Sequence, residues 1–267
     1  MAGMDFGGAE KASLFRRLHH GDRPLVLPNA WDFASAAALA EAGFPAVGTT
    51  SLGVAAAAGK ADAAGGTRTE TVALARALAR LPVPVTVDVE GGFSDRPGDV
   101  AALAAGLASS GIAGINLEDG RADGTLAPAG DQAAVIAAVK QAAPRMFLNA
   151  RTDTFWLGAP DLDETLRRAR AYAEAGADGI FVPGIAADAD IRAVLETVDL
   201  PLNVLYLPGR TGYPRLARLG VHRVSTGSLL FRTALRATVA AALDVTGEGD
   251  APSVPSYADV QRLVSDR

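Results

Sequence analysis

Eight short strand-like segments alternate with helix-patterned stretches along the chain, and no other feature limits the possible folds so strongly. They are Leu25 to Asn29, Ala46 to Ser51, Val83 to Glu90, Gly114 to Glu118, Met146 to Thr152, Gly179 to Pro183, Leu202 to Tyr206 and Arg223 to Gly227. The pieces between them carry apolar residues at helical spacing and end as helices end. Asp163 to Gly176 begins with acids and stops at glycine, and Gly43, Gly111 and Gly220 mark similar stops. Strict βα alternation implies a parallel sheet, and eight units in 267 residues favour a closed (β/α)8 barrel of the TIM type. An open doubly wound sheet is the alternative. The first strand, Leu25-Val-Leu-Pro-Asn-Ala-Trp31, is not followed by a dinucleotide-binding glycine pattern, and no Walker loop occurs, which argues against a nucleotide cofactor.

One barrel domain with an N-terminal helix is expected over residues 1–246, followed by a tail over 247–267. After the last strand, an apolar helix from Ser228 to Thr246 is too hydrophobic to lie fully in water. A break follows, Gly247 to Ser256, and then a short helix from Tyr257 to Val264. This C-terminal helical extension folds back on its own barrel or is exchanged with a neighbouring subunit, so a homo-oligomer is expected, dimer or tetramer.

Composition narrows the partners. With 25 Lys and Arg against 30 Asp and Glu the net charge is -5, the basic residues are scattered, and nucleic acid is not expected as a partner. The absence of cysteine excludes disulfides, thiolate metal sites and cysteine catalysis. The start MAGMDFGGAEKAS has no apolar signal core, and charges or glycines cut every Ala-rich run before membrane-spanning length, so a cytoplasmic protein without membrane contact is expected.

Enzymes of this architecture work at the C-terminal ends of the strands. The residues expected there are Asn29, Asp32, Thr49, Thr50, Ser51, Asp88, Glu90, Glu118, Asn149, Arg151, Asp153, Asn203, Ser225 and Thr226. Side chains alternate along a strand, so Asp88 and Glu90 should share a face and converge with Glu118. Acids so placed repel unless a cation lies among them, and their oxygens suit Mg2+, with Mn2+ as an alternative. The competing reading is that strand-end acids cap helices or face water. His19 and His20 lie in the N-terminal helix and His222 precedes a strand, a placement for surface or packing roles and not for zinc. Arg151 can bind a carboxylate or phosphate with both prongs of its guanidinium, or merely neutralise the acids. Thr50-Ser51-Leu52-Gly53 can offer hydroxyls and backbone N–H groups to a second anionic group, and Ser51 lacks a histidine to make it a nucleophile. Trp31 and Trp156 close the barrel mouth or pack.

Pro28-Asn-Ala-Trp-Asp32, Gly48-Thr-Thr-Ser-Leu-Gly53, Gly59-Lys-Ala-Asp62, Asp88-Val-Glu-Gly-Gly-Phe93, Gly114-Ile-Asn-Leu-Glu-Asp119, Leu148-Asn-Ala-Arg-Thr-Asp153, Phe181-Val-Pro-Gly184, Pro201-Leu-Asn203 and Arg223-Val-Ser-Thr-Gly227 together resemble the isocitrate lyase/phosphoenolpyruvate mutase superfamily, over roughly residues 24–245. The resemblance implies a (β/α)8 barrel that binds Mg2+ and small 2-oxo acids and makes or breaks C–C or P–C bonds beside the oxo group. It also implies a metal site at Asp88, Glu90 and Glu118 and a carboxylate-binding loop at Thr50, Ser51 and Leu52. Arg151 and Asn203 become substrate clamps, and Asp62 an acidic loop residue near the metal. Arg151 and Asp62 are then the candidate catalytic residues, and Asp88 also touches substrate.

Two departures bear on the activity. The lyase lid motif Lys-Lys-Cys-Gly-His is replaced by Asp119-Gly-Arg-Ala-Asp-Gly-Thr-Leu-Ala-Pro128, which also lacks the Lys and Asn of phosphonopyruvate enzymes, and Phe93 stands where many relatives have Tyr. The expected activity is a Mg2+-dependent carbon–carbon lyase, of decarboxylase or retro-aldol/Claisen type, cleaving a small 2-oxo or 2-hydroxy di- or tricarboxylic acid through a metal-stabilised enolate. A P–C mutase or hydrolase of the phosphonopyruvate type is one alternative. A 2-oxo acid binding protein without turnover is another. The lid, about Gly120 to Asp131, has no apolar stripe to anchor it and is expected to close over ligand.

Overall fold

The computed structural model describes residues 7–157, 160–247 and 253–265. Its centre is a parallel sheet of β1 (Leu25–Leu27), β2 (Asn29–Ala30), β3 (Val47–Thr49), β4 (Val85–Asp88), β5 (Gly114–Glu118), β6 (Phe147–Arg151), β7 (Gly179–Val182), β8 (Leu202–Leu205) and β9 (Arg223–Ser225). The order is β1-β9-β8-β7-β6-β5-β4-β3-β2, with β1 on β9 and β2 on β3. β1 and β2 are the halves of the one strand expected from Leu25 to Asn29. Pro28 separates them, because it has no N–H to give to a ladder. Counting the two halves together, the sheet closes as a (β/α)8 barrel with helices outside.

Asn29 fastens the closing seam. Its Oδ1 accepts from the backbone N–H groups of Thr226 at 3.0 Å and Gly227 at 2.9 Å, while its Nδ2 donates to the Thr49 carbonyl at 2.7 Å. One amide side chain thus ties first, second and last strands together.

The lower end is plugged by the N-terminal helix, Gly8–Leu18. Its Phe15 is fully buried with Leu25, Leu27, Ala46, Ala113 and Phe147. Gly114 makes this docking possible, because a Cβ there would lie 2.8 Å from the Phe147 carbonyl oxygen and 3.0 Å from the Phe15 ring. Lys11 completes the plug by donating from Nζ to the carbonyls of Ala79 and Leu81 at 2.8 and 2.7 Å.

His19 belongs to the same plug, which places it in packing. It is stacked on Phe147 at 4.2 Å, with Nδ1 2.8 Å from the Phe15 carbonyl and Nε2 without a hydrogen-bond partner. Burial, reinforced by Arg223, lowers its pKa to about 3. A base that is harder to protonate folded than unfolded contributes stability fully above the unfolded value of about 6.5, and loses it as pH falls through the window from there toward 3. His19→Gln should therefore flatten the acid side of the stability curve. Between pH 7 and 5 the wild-type chain should lose about 1–2 kcal/mol more than the variant in denaturant titrations. Parallel curves would mean that His19 titrates normally.

The remaining helices follow local signals. Asp161 caps Leu162–Glu174, accepting from the Glu164 N–H at 3.0 Å, and the chain leaves that helix through Gly176. Asp32, expected at the strand ends facing the site, instead caps Phe33–Glu41 by accepting from the Ser35 N–H at 2.7 Å. The lid also differs from its expected form. Residues 120–127 make a small hairpin closed by a Gly120–Leu126 bridge, and the helix Ala129–Ala142 already begins inside the segment expected to be loop.

Two helices follow the barrel, Leu229–Thr246 and Tyr257–Ser265. The break expected between them lies partly outside the described residues. Tyr257–Ser265 packs on this same chain, with Val260 buried against Leu52 and Phe231. The longer helix buries Phe231 but leaves Val239 and Val245 exposed. No described helix is long and apolar enough to cross a membrane.

Candidate active site

A cavity of about 440 Å3 opens at the C-terminal ends of the strands. Asp88 reaches it from the end of β4, Glu118 from β5 and Arg151 from β6, while Asp62 comes from the loop between the helices Ser51–Ala57 and Arg68–Leu78. Adjacent strands in register bring Glu118 opposite Arg151, and their side chains meet at 2.6 Å. Arg151 also donates to both oxygens of Asp153, from Nε at 2.6 Å and Nη2 at 3.1 Å. Its guanidinium lies 5.7 Å from the centre of the Phe181 ring.

The acids crowd this one guanidinium. Burial pushes Asp88 up to about 6 against the pull of Arg151, with Asp62 and Glu90 adding repulsion. Burial likewise holds Glu118 well above the usual carboxylate range despite its ion pair, because Asp153, Asp88 and Asp62 oppose its ionisation. For Arg151 burial works against the charge, yet Asp153, Glu118 and Asp88 keep it firmly protonated. The arrangement carries more negative charge than one arginine offsets.

Glu90 departs from the expected geometry. β4 ends at Asp88, and Glu90 has a φ of 51°, so the alternation that would put both acids on one face breaks between them. Its carboxylate turns to the loop carrying Asp62, accepting from the Gly65 N–H at 3.1 Å and from the Thr67 hydroxyl. Asp88 and Glu118 line the cavity; Glu90 anchors the loop behind it. Asn203 also lies beneath the cavity, buried, with Oδ1 accepting from the Ser225 hydroxyl at 3.0 Å.

Thr50, Ser51 and Leu52 line the cavity beside Asp88, where the short helix Ser51–Ala57 begins after the strand that neighbours β4. A first turn has N–H groups without intrahelical partners, so this part of the lining offers donors to an anionic group. Gly53 permits the turn to sit there, since a Cβ would meet Trp31 at 2.7 Å and Thr50 at 2.9 Å.

Some contributors had no sequence signal. From the C-terminal helix, the Tyr257 hydroxyl donates to Asp62 Oδ2 at 2.7 Å. Gln261 brackets the Asp62 backbone, accepting from its N–H at 3.0 Å and donating to its carbonyl at 3.3 Å. Trp156, expected to close the barrel mouth or pack, lines the cavity and meets the Tyr257 ring edge-on at 5.8 Å, and Arg121 joins the lining from the lid hairpin.

A divalent cation fits this chemistry. Asp62 Oδ1 is buried without a hydrogen-bond partner, Asp88 is desolvated, and both have like-charged neighbours. Among the described residues no three acidic or histidine side chains enclose an ion by themselves. Mg2+ commonly takes one or two carboxylates and completes its shell with water and substrate oxygen, which suits Asp88 and Glu118 with Asp62 in the same lining.

The comparisons with known proteins agree with the architecture. The family model described as phosphoenolpyruvate phosphomutase matches residues 15–246. An uncharacterized protein of Mycobacterium tuberculosis is 45% identical over 253 residues, covering 94% of this chain and 96% of that protein. The 2-methylisocitrate lyase of Bacillus subtilis is 32% identical over 242 residues, 85% of this chain and 79% of the enzyme. Among solved structures, a Burkholderia cenocepacia protein assigned as a phosphonomutase superposes with a TM-score of 0.83 at 42% identity, covering 88% of this chain and 99% of its own. With the barrel closed, the acids and arginine gathered at its mouth and the match running through nearly every strand, the chain belongs to the phosphoenolpyruvate phosphomutase family, within the isocitrate lyase/phosphoenolpyruvate mutase superfamily.

Proposed function

We propose that this protein is a carbon–carbon lyase acting on a small 2-oxo or 2-hydroxy di- or tricarboxylic acid. The observation that carries this reading is one cavity lined by two kinds of group: a desolvated acid cluster around Arg151, and beside it the helix start at Thr50 to Leu52. Asp88 and Glu118, with Asp62 beside them and Glu90 holding the Asp62 loop in place, would hold a Mg2+ or Mn2+, which would supply Lewis-acid stabilisation of negative charge on a 2-oxo oxygen of the substrate. Arg151, kept charged by its acidic neighbours, holds the carboxylate next to that oxygen and the charge that grows when the adjacent bond breaks. Ser51 and Leu52 receive the distal carboxylate through N–H groups, Thr50 adds its hydroxyl, and Asn203 orients the floor through Ser225. Asp62, gripped by Tyr257 and Gln261, closes the cavity beside the reacting carbon.

The 32% identity to a 2-methylisocitrate lyase supports C–C chemistry. The relative assigned as a phosphonomutase favours a second reading, P–C cleavage or transfer on a phosphonopyruvate-type substrate. The two are separated by incubating the protein with Mg2+ and a panel of 2-oxo and 2-hydroxy di- and tricarboxylates, then with phosphonopyruvate followed by phosphorus NMR. Release of a smaller 2-oxo acid or of CO2 from a carboxylate is the expected result. Turnover of phosphonopyruvate alone would transfer the proposal to the second reading, and ligand binding without turnover of any would leave a 2-oxo acid binding protein. Assembly into a cytoplasmic homodimer or homotetramer completes the proposal, supported by the exposed Val239 and Val245 on the helix Leu229–Thr246.

A further inference from the structure

The largest side chain sealed completely inside the barrel is a charged one. Arg223, the first residue of β9, is 0% exposed, and among the described residues no carboxylate lies within ion-pair distance of it. A buried unpaired charge is among the costliest features a core can hold, and apolar residues of similar volume often serve a barrel interior better. Position explains why it is there. Arg223 and Ser225 lie two apart on one strand and face inward together, so the guanidinium occupies the layer directly below the cavity.

Its contacts run upward into the site. Nε donates to Ser225 Oγ at 3.0 Å and Nη2 to Asn116 Oδ1 at 3.2 Å, and both acceptors line the cavity. Asn116 Oδ1 also accepts from Asn149 Nδ2 at 3.0 Å, and the Ser225 hydroxyl donates to Asn203 Oδ1 at 3.0 Å. Below, the guanidinium carbon lies 6.0 Å from the centre of the Phe15 ring, and Nη1 has no hydrogen-bond partner. Burial lowers its pKa to about 9, which leaves it charged at neutral pH, and Asp88 is the charged group that pulls the value back up. Thus the one carboxylate that acts appreciably on Arg223 belongs to the acid cluster above it.

We infer that Arg223 is a positioning residue of the site, a second positive charge set beneath the floor that offsets the acid cluster and fixes Asn116 and Ser225 for an anionic ligand. The inference rests on the reading of the cavity as a site for a cation together with a 2-oxo acid. Its distinctive consequence is a pair of opposite effects. Removing a positive charge from under the acids strengthens their hold on a cation and weakens the hold of the whole site on an anion, whereas a purely structural role would move both affinities the same way.

The experiment uses full-length Arg223→Met and Arg223→Gln, which remove the charge, and Arg223→Lys, which keeps it. Calorimetry measures Mg2+ alone and then oxalate in saturating Mg2+; oxalate is a planar dianion presenting the O–C–C–O edge of a 2-oxo acid enolate. The Met and Gln variants should bind Mg2+ about tenfold more tightly and oxalate about tenfold more weakly than the wild type, and Arg223→Lys should stay within about threefold for both. Unchanged affinities in the uncharged variants, or a joint fall in both, would overturn the assignment. If neither uncharged variant folds while Arg223→Lys does, the charge serves folding and the assignment also fails. Wild-type protein that binds neither Mg2+ nor oxalate would refute the reading of the site itself, a result distinct from wild-type binding that Arg223 does not influence.

Discussion

Arg151→Lys is expected to lower kcat/KM for the carboxylic acid that the substrate panel identifies by about 100- to 1,000-fold, with little change in thermal stability. Lysine keeps the positive charge that the acids need, so the folded cluster remains neutralised to the same extent. It loses the fork. Arg151 contacts Asp153 through two nitrogens and Glu118 through a third, and a single ammonium cannot satisfy both acids and also hold a substrate carboxylate in a fixed plane. Steady-state kinetics alongside thermal melts measure the two effects separately. Unaltered kinetic parameters would remove Arg151 from the proposed chemistry.

Asp88→Asn should produce a reversal that depends on the cation. Burial raises the Asp88 carboxyl to about 6, above its value in the unfolded chain. For an acid shifted in that direction, the contribution to stability is fully present below the unfolded value near 3.9 and is lost as pH rises through the folded value. At pH 8 without metal the ionised side chain is therefore a net burden, and the variant should be more stable than wild type by about 1–2 kcal/mol, a figure discounted for the open face of the cavity. At pH 4 the advantage should disappear. Adding Mg2+ should invert the order, since the wild-type carboxylate then gains its counter-ion and the amide does not. The variant should bind Mg2+ at least about 100-fold more weakly. Denaturant titrations at both pH values, with and without Mg2+, test each part; a variant less stable than wild type at pH 8 without metal would contradict the argument.

Much of the barrel was legible because its signals are local. Alternating short strands and glycine-stopped helices require nothing distant to be recognised, and even the split first strand is marked by Pro28. Strand-end position identified Asp88, Glu118 and Arg151 as neighbours because parallel register carries them to the same end. Glu90 was misplaced by the same rule. Period-two reasoning assumes extended backbone, and the left-handed conformation at Glu90 lies just beyond the last paired residue of β4. Asp32 looked like a site acid but is used up by a helix cap three residues on. Asp62 came only from motif resemblance, since nothing in Gly59-Lys-Ala-Asp62 indicates where the loop will lie. Tyr257 and Gln261 had no signal at all. Their partner is 195 to 199 positions away, and the segment reads as an ordinary short amphipathic helix. Arg223 was recoverable in principle, because its parity with Ser225 places both on the inner face.

The seam at Asn29 bears on how the protein is made. Asn29 and its partners Thr226 and Gly227 stand 197 and 198 positions apart, so the contacts that shut the barrel join nearly the first strand synthesised to the last. Such contacts carry the largest chain-ordering cost and form after local βα units have condensed. Asn29, Ser225 and Gly227 all line the cavity. A ribosome-bound chain halted before residue 223 therefore cannot present a finished pocket, however native its earlier strands and helices have become. Ligand capture by stalled chains of increasing length should switch on only after the last strand has emerged from the exit tunnel, which makes ligand binding a direct clock for barrel closure.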